Sequence, residues 1–498
     1  MRHSRWPRLL VAACVAGIVA GCAGPWPHRP LEGRNDLDCT LAETRADERC
    51  LKRTPEISTS PAYRLHFVEL DDQGWLYPVP GQAGYTDDMG SAHAQIDRVI
   101  DDLSGRLAKG ERVMLFVFVH GWKHGAGHDD RDVQRFREIL SDVASMVQFG
   151  GEPGQPARTV MGIYISWRGG GTFAARNPLV YTTFWTRKNA ALHVSGGAAR
   201  ELFARLTALR VRWNAPAVDA RPEDREAALR HPQLRTVVLG HSFGGWIAFS
   251  SLSISILEQL AHAVDADRPR TDRGRDWRSA RVRATADMVV LLNPAFEATR
   301  YQPLHSMAQR AGRSRFEAPV LVIVTSTSDG ATRTAFPLGR RLNTLFQRSF
   351  VSADEEEASV KTPGFVPAYR THRIALFPQA TACEGWRPPP QPEPLTDVAT
   401  PRSETRAERL ARTEHNVKLE VARHRAWLRE LETTAGTQAP NWSWEYCGKA
   451  KLELMAGRAP HVPVWNITTD ASLIRSHSDI MQEPLHAFLR QLYMTLSY

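Results

Sequence analysis

A chain of 498 residues, 42% of them hydrophobic, is long enough to bury a large core, and it carries no repeat of the kind that stacks into a solenoid. Its formal net charge of +9 is spread among acidic neighbours, 63 lysines and arginines against 54 aspartates and glutamates. No basic stripe therefore marks it as a nucleic-acid binder.

The opening residues predict an export signal. Arg2, Arg5 and Arg8 precede the apolar stretch LLVAACVAGIVAG, which is too short for a membrane span. It ends in Val19-Ala20-Gly21-Cys22, small residues running into a cysteine, and this resembles the lipobox of bacterial lipoproteins. The resemblance implies that residues 1–21 are removed, that Cys22 is acylated with a palmitate-like chain, and that the mature chain is anchored to a membrane. Ala23 in place of an aspartate points to the outer membrane, facing the periplasm. Of the six cysteines, Cys14 leaves with the signal and Cys22 takes lipid, so Cys39, Cys50, Cys383 and Cys447 remain. An oxidising compartment favours disulfides among them, with three connectivities open. The short loop it closes favours Cys39–Cys50, and Cys383–Cys447 would then clasp a single insertion. No cysteine pair has the two-residue spacing of zinc sites.

Residues 22–61 read as a polar tether. Beyond it YRLHFVEL and GWLYPV predict two strands, and SAHAQIDRVIDDLSGRLAKG a helix stopped at Gly110. RVMLFVFVHGW is a continuous apolar run, as expected of a strand buried on both faces of a parallel sheet. RDVQRFREILSDVASMVQF predicts a helix, RTVMGIYISW a strand, and Thr186 to Val211 one further helix. LRTVVLG, ADMVVLLNPA, APVLVIVTST and VPVWNI are further buried strands, with the helix GGWIAFSSLSISILEQLAHAV after the first. Alternation of this kind predicts an α/β sheet, mostly parallel, with helices on both faces. The core spans residues 62–345 and 460–498. Residues 346–459 form an insertion with the proline-rich excursion RPPPQPEPLTDVATP and a long helix opened by the capping box Thr405–Glu408. Leu410, Val417, Val421, Leu428 and Leu431 give that helix a narrow apolar stripe, suited either to packing across the core or to a lid or partner-binding arm.

Acyl transfer at a serine needs an exposed hydroxyl, a base, an acid to orient the base, and donors for the oxyanion. Gly240-His241-Ser242-Phe243-Gly244 lies between a buried strand and a helix, the context in which small neighbours let the chain turn sharply enough to expose Ser242. The acid should come next and the histidine last, each past the carboxyl end of a strand. Asp329 follows VLVIVTSTSD, with Glu297 after the preceding strand as its rival; a turn aspartate capping a helix is the plainer alternative. Asp287 stands at the wrong end of its strand, and Asp470 falls too close before the histidine. Among eighteen histidines, His477 in RSHSDI follows the last strand. His461 precedes that strand, His486 lies in the closing helix, His372 in the insertion and His262 at a helix end. In FVHGW the strand runs into His120-Gly121-Trp122, so the amides of Trp122 and Phe243 can supply the oxyanion hole.

These motifs, HGW, GHSFGG, TSD and SHSD in that order, resemble those of the α/β-hydrolase superfamily, in a branch of lipoprotein serine esterases and lipases, over about Tyr63 to Tyr498 apart from the insertion. The resemblance implies an eight-stranded, mostly parallel sheet, a Ser242–Asp329–His477 triad and no cofactor. His-Gly-Trp stands where such enzymes often carry His-Gly-Gly-Gly, and the gap between acid and histidine is long. The histidines and acids His124, His128, Asp129, Asp130 and Asp132 of HGAGHDDRD fit a helix start better than a metal site. Tyr181, Phe184 and Trp185 follow a glycine-rich loop at the sheet's carboxyl edge and can wall an acyl chain as well as pack a core. The function expected is ester hydrolysis by a membrane-tethered serine enzyme on an ester or lipid substrate. The same triad serves an acyltransferase or amidase, and a non-catalytic scaffold binding a partner through the insertion is the contrasting reading.

Overall fold

The computed structural model describes residues 27–36, 52–78, 90–150, 156–170, 184–215, 221, 223–224, 231–264, 284–311, 318–344, 352–379, 383–388, 404–433, 443–459, 462–480 and 482–496. Twelve strands in them form one sheet: β1 (Leu31–Asp36), β2 (Arg53–Thr59), β3 (Ala62–Leu70), β4 (Val113–Val119), β5 (Thr159–Trp167), β6 (Leu234–His241), β7 (Met288–Leu292), β8 (Leu321–Ser326), β9 (His372–Leu376), β10 (Ser443–Tyr446), β11 (Ala450–Leu454) and β12 (Val464–Thr469). Their order is β1-β2-β3-β5-β4-β6-β7-β8-β12-β9-β11-β10. From β3 to β9 in that order every neighbour is parallel, while β2–β3, β9–β11 and β11–β10 are antiparallel.

The chain is thus α/β with a mostly parallel mixed sheet, but twelve strands replace the eight expected. Two come from the segment read as tether, since β2 pairs onto β3 and β1 onto β2. Three come from the insertion. GWLYPV is no strand and touches the sheet through one bridge, Leu70 to Leu76.

Continuous apolar runs explain the centre. All seven residues of β4 are buried; Val113, Leu115, Val117 and Val119 point into one face and Met114, Phe116 and Phe118 into the other. The first face is covered by α1 (Gly90–Ala108), α3 (Phe184–Gly196), α4 (Ala198–Asn214), α5 (Phe243–Val264) and α6 (Ala298–Arg310). The helix expected from Thr186 to Val211 is broken at Gly197, where the Ala198 amide donates to the Gly74 carbonyl at 2.9 Å. The second face carries α2 (Arg131–Gly150), α9 (Arg406–Thr433) and α10 (Glu483–Met494). Helices α7 (Phe336–Thr344) and α8 (Ala353–Val360) lie between β8 and β9.

The long helix α9 packs across the second face of the domain. Val417 and Val421 sit in the second-face core, and α9 lies against α2 and α10. Arg490 of α10 clamps the junction. Its guanidinium meets Glu420 of α9 at 2.7 Å, Asp142 of α2 at 2.7 Å and Glu483 at 2.9 Å, all but sealed from water. Burial works against its charge, but the three carboxylates outweigh that and hold it well above the ordinary arginine range. A Cys383–Cys447 disulfide ties the insertion to itself, as expected. The pair Cys39–Cys50, the signal with Cys22, and most of the proline-rich excursion lie outside the described residues.

At the other flank residues 27–30 are pinned. The amides of His28 and Arg29 donate to the Glu69 carboxylate at 3.0 and 2.7 Å. The Arg29 guanidinium bonds the Ala126 carbonyl at 3.0 Å, pairs with Glu56 at 2.9 Å and lies over the Phe67 ring. Burial lifts the Glu69 carboxyl to about 7 despite the two amides and Arg29, which pull the other way.

Two predictions follow from these buried charges. Arg490→Met leaves the carboxylates uncompensated and is expected to cost about 3–5 kcal/mol in denaturant unfolding, most of it recovered by adding Glu420→Leu. For Glu69 the folded carboxyl holds its proton up to about 7 while the unfolded one, at 4.5, has lost it. This contribution to stability is therefore present below pH 4.5 and lost as pH rises through 7. Glu69→Gln should remove that downward slope between pH 4.5 and 7, read as the difference in unfolding midpoints between the two proteins.

Candidate active site

The turn from β6 into α5 places Ser242 at φ +56°, a left-handed conformation that non-glycine residues seldom adopt. Its neighbours make the turn feasible. A Cβ on Gly240 would sit 2.8 Å from the Gly244 carbonyl oxygen, and one on Gly244 would collide with the carbonyl of Val119, where β4 ends. The backbone is held from both sides, with the Ser242 amide donating to the Leu292 carbonyl at 3.1 Å and its own carbonyl accepting from Ala295 at 3.1 Å.

Asp329 follows β8 and His477 follows β12, each at the carboxyl edge as the sequence predicts. Ser242 Oγ lies 2.7 Å from His477 Nε2, and His477 Nδ1 lies 2.8 Å from Asp329 Oδ2. With the serine donating, the imidazole is neutral and its Nδ1–H donates to the acid. Asp329 is fully buried while the His477 side chain is one-quarter exposed. Burial alone would raise the Asp329 carboxyl. The hydrogen bond and charge from His477, with bonds from Thr332, outweigh it and bring the carboxyl below its ordinary range. Asp329 also accepts the Ala331 amide at 2.9 Å and the Thr332 hydroxyl, so it caps the following helical turn as well as facing the histidine.

Trp122 and Phe243 flank the serine. A Cβ on Gly121 would fall 3.0 Å from that of Ser242, so the loop after β4 passes directly against it. Phe243 opens α5, where amides lack an intrahelical acceptor. His120 fixes the opposing peptide. Trp167 donates its amide to His120 Nε2 at 3.1 Å, leaving Nδ1–H to bind the Gly121 carbonyl at 2.8 Å. Because a trans peptide sets C=O and N–H antiparallel, the Trp122 N–H points away from His120. Burial drives the His120 pKa down to about 4, which keeps this tautomer neutral. Phe184 stacks near both, 5.8 Å from Trp122 and 5.2 Å from Phe243, with Trp185 edge-on to it; Tyr181 lies outside the described residues.

The rivals are engaged elsewhere. Glu297 pairs with Lys188, Arg340 and Arg300, Asp287 with Arg210, and Asp470 with Ser472 and, at 3.7 Å, Arg373. His372 packs on Trp465, His486 lies 4.0 Å from Asp142, His262 is exposed at the end of α5, and His461 is outside the described residues. His124 binds Asp130 at 3.0 Å and lies 3.6 Å from Asp132, and His128 faces Asp129 at 3.7 Å. Among the described residues no group of three or more such side chains is arranged to hold a metal ion.

Sequence reasoning passed over His241, the residue before the serine. Fully buried, it donates from Nε2 to the backbone carbonyl of His477 at 2.9 Å, while Nδ1 faces Asp132 at 3.9 Å. Asn293, itself at φ +43°, donates to the same carbonyl at 3.1 Å and accepts the Ser326 amide at 2.9 Å. Ser326 Oγ donates to the Ile474 carbonyl at 2.7 Å. The loop bearing His477 is thus fastened to the ends of three strands by hydrogen bonds to its backbone carbonyls. Both positions carry a signal in sequence only as the residue after a buried strand.

Compared with protein-family models, curated proteins and solved structures, the chain matches none. What the site does is therefore argued from its geometry: a hydroxyl with an acceptor for its proton, an oriented base, and amides on either side.

His241→Ala should free one side of the His477 loop and slow reaction of Ser242 with a fluorophosphonate about ten- to hundredfold while leaving the fold intact by circular dichroism. His241→Asn, which still presents a donor, should lose less, and an unchanged rate in the alanine variant would contradict the positioning role.

Proposed function

We propose that the protein is a serine hydrolase of α/β-hydrolase fold that cleaves carboxylic esters and is anchored to a membrane through Cys22. The observation that carries this reading is the unbroken chain from Asp329 through His477 to Ser242, at 2.8 and 2.7 Å, on a serine held at positive φ. His477 Nε2 takes the serine proton as Oγ attacks the acyl carbonyl, and Asp329 stabilises the imidazolium. The oxyanion is received by the amides of Trp122 and Phe243. His477 then protonates the departing alcohol, deprotonates a water that attacks the acyl-enzyme, and returns its proton to Ser242 as the acid leaves.

Export is supported by the Cys383–Cys447 disulfide, since such bonds persist in oxidising compartments. The reading places the mature protein at the outer membrane facing the periplasm. No described helix is long and apolar enough to cross a membrane, so attachment in this reading is through lipid.

Purified wild type should label with a fluorophosphonate and turn over short-chain p-nitrophenyl esters. Ser242→Ala and His477→Ala should abolish both, and Asp329→Asn should cut kcat about 10³–10⁴-fold. Unaltered turnover in Ser242→Ala, or no labelling of folded wild type, would overturn the proposal.

A further inference from the structure

We infer that the carboxyl edge of the sheet, with Ser242 near its middle, is docked on the lipid bilayer by a leash too short to let it turn away, so that the ester it takes is a long-chain acyl ester resident in that bilayer. The inference rests on the two readings above, a nucleophilic Ser242 and an acylated Cys22.

The leash follows from chain length. Pro27 is five peptide units from Cys22, and five units reach at most about 18 Å whatever their course. His28 and Arg29 then hold to Glu69, near the carboxyl end of β3. Register carries Glu69 straight to the nucleophile. Glu69 pairs with Ser166; Ile165 pairs with Val119, which sets Ser166 beside His120; Val119 pairs with Gly240, which sets His120 beside His241. Three strand spacings separate Glu69 from His241, about 14 Å. The opposite edge is farther than the leash is long, because Ala62 lies seven residues back along β3, about 23 Å, with the connecting loops beyond it. An acyl chain on Cys22 therefore sits at the active-site edge.

That edge is furnished for a bilayer. Trp75 is 56% exposed just past β3, Leu338 and Leu342 are each 61% exposed on α7 past β8, and Leu376 is 38% exposed at the end of β9. They flank β6 on both sides in the sheet order. Leu338 and Leu342 are one helical turn apart, with Arg333 and Arg341 exposed on the same stretch, a pairing suited to anionic headgroups over acyl chains. The inner side of α7 continues to the serine: Phe336 lies 6.4 Å from Phe184, which lies 5.2 Å from Phe243. Aromatic packing thus links α7 to the turn that carries Ser242. The other exposed large apolar side chains among the described residues, Leu192, Val211 and Ile254, lie on the helices of the first face.

The test uses full-length, lipidated protein reconstituted in phosphatidylethanolamine–phosphatidylglycerol vesicles that hold a fluorogenic long-chain ester, with a water-soluble butyrate ester assayed alongside. A flexible Gly/Ser linker of about 40 residues inserted between Trp26 and Pro27 should lower turnover of the vesicle ester about tenfold and leave the butyrate rate unchanged. Leu338→Glu with Leu342→Glu should lower the ratio of vesicle to butyrate turnover by a similar factor. Retention of that ratio in both variants would overturn the docking inference. Absence of butyrate turnover in wild type would instead overturn the hydrolase reading, and absence of an acyl mass increment on Cys22 the anchor.

Discussion

One backbone conformation governs the rest of the site. Ser242 at φ +56° costs on the order of 1–3 kcal/mol, and such a residue persists only where its surroundings over-determine it. Here they do. Parallel register brings the ends of β4, β6 and β7 level, so the Leu292 carbonyl receives the Ser242 amide and the Val119 carbonyl closes over Gly244. The parallel centre of the sheet supplies this pressure, and it holds Ser242 almost buried, at 4% exposure, where the sequence pattern predicts an exposed hydroxyl.

The base is held by a different principle. His477 stands on a loop, a kind of segment that is usually mobile. Its backbone carbonyl nevertheless receives two donors, His241 Nε2 and Asn293 Nδ2, and Ser326 grips the loop again at Ile474. All three come from the ends of strands. Burial lowers the His241 pKa against the pull of Asp132, and burial likewise brings His120, behind the Gly121 peptide, down to about 4. Neutral donors orient the loop without placing a further charge beside His477. Asp329, below its ordinary range, is left as the near carboxylate that answers that charge.

What could be read from sequence divides along physical lines. Strands β4, β6, β7, β8 and β12 are buried on both faces, and they announce themselves by apolar runs, unbroken in β4 and β7 and shorter in β8, β6 and β12. The same runs locate their carboxyl ends, and hence Ser242, Asp329 and His477. Strands at the flanks carry no such signature. β2 reads RTPEIST and buries Glu56 against Arg29 and Arg137, a polar strand made tenable by two guanidiniums that sequence spacing cannot foretell. β9 and β11 read HRIAL and AKLEL, each with exposed positions, and they pair only because the chain returns between them through α9. His241 was equally invisible, since its value lies in reaching a backbone carbonyl 236 residues away. Long-range polar contacts between unlike segments leave no period in a sequence.

The added strands do more than widen the sheet. A parallel core of this kind leaves open edges that invite pairing with other chains. On one side β9, β11 and β10 turn the sheet antiparallel and end it in a hairpin, whose turn is held to α10 by Gln491, which accepts the Cys447 amide at 3.0 Å and donates to its carbonyl at 3.2 Å. On the other side β2 turns back antiparallel to β3, and this reversal has a positional effect. It runs the preceding chain across to Glu69, so that residues 27–30 end at the active-site edge. Had β1 run in the direction of β3, residues 27–30 would lie at the opposite edge, about 23 Å or more away. The direction of β1 and β2 relative to β3 thus decides both how this flank of the sheet is covered and at which edge residues 27–30 lie.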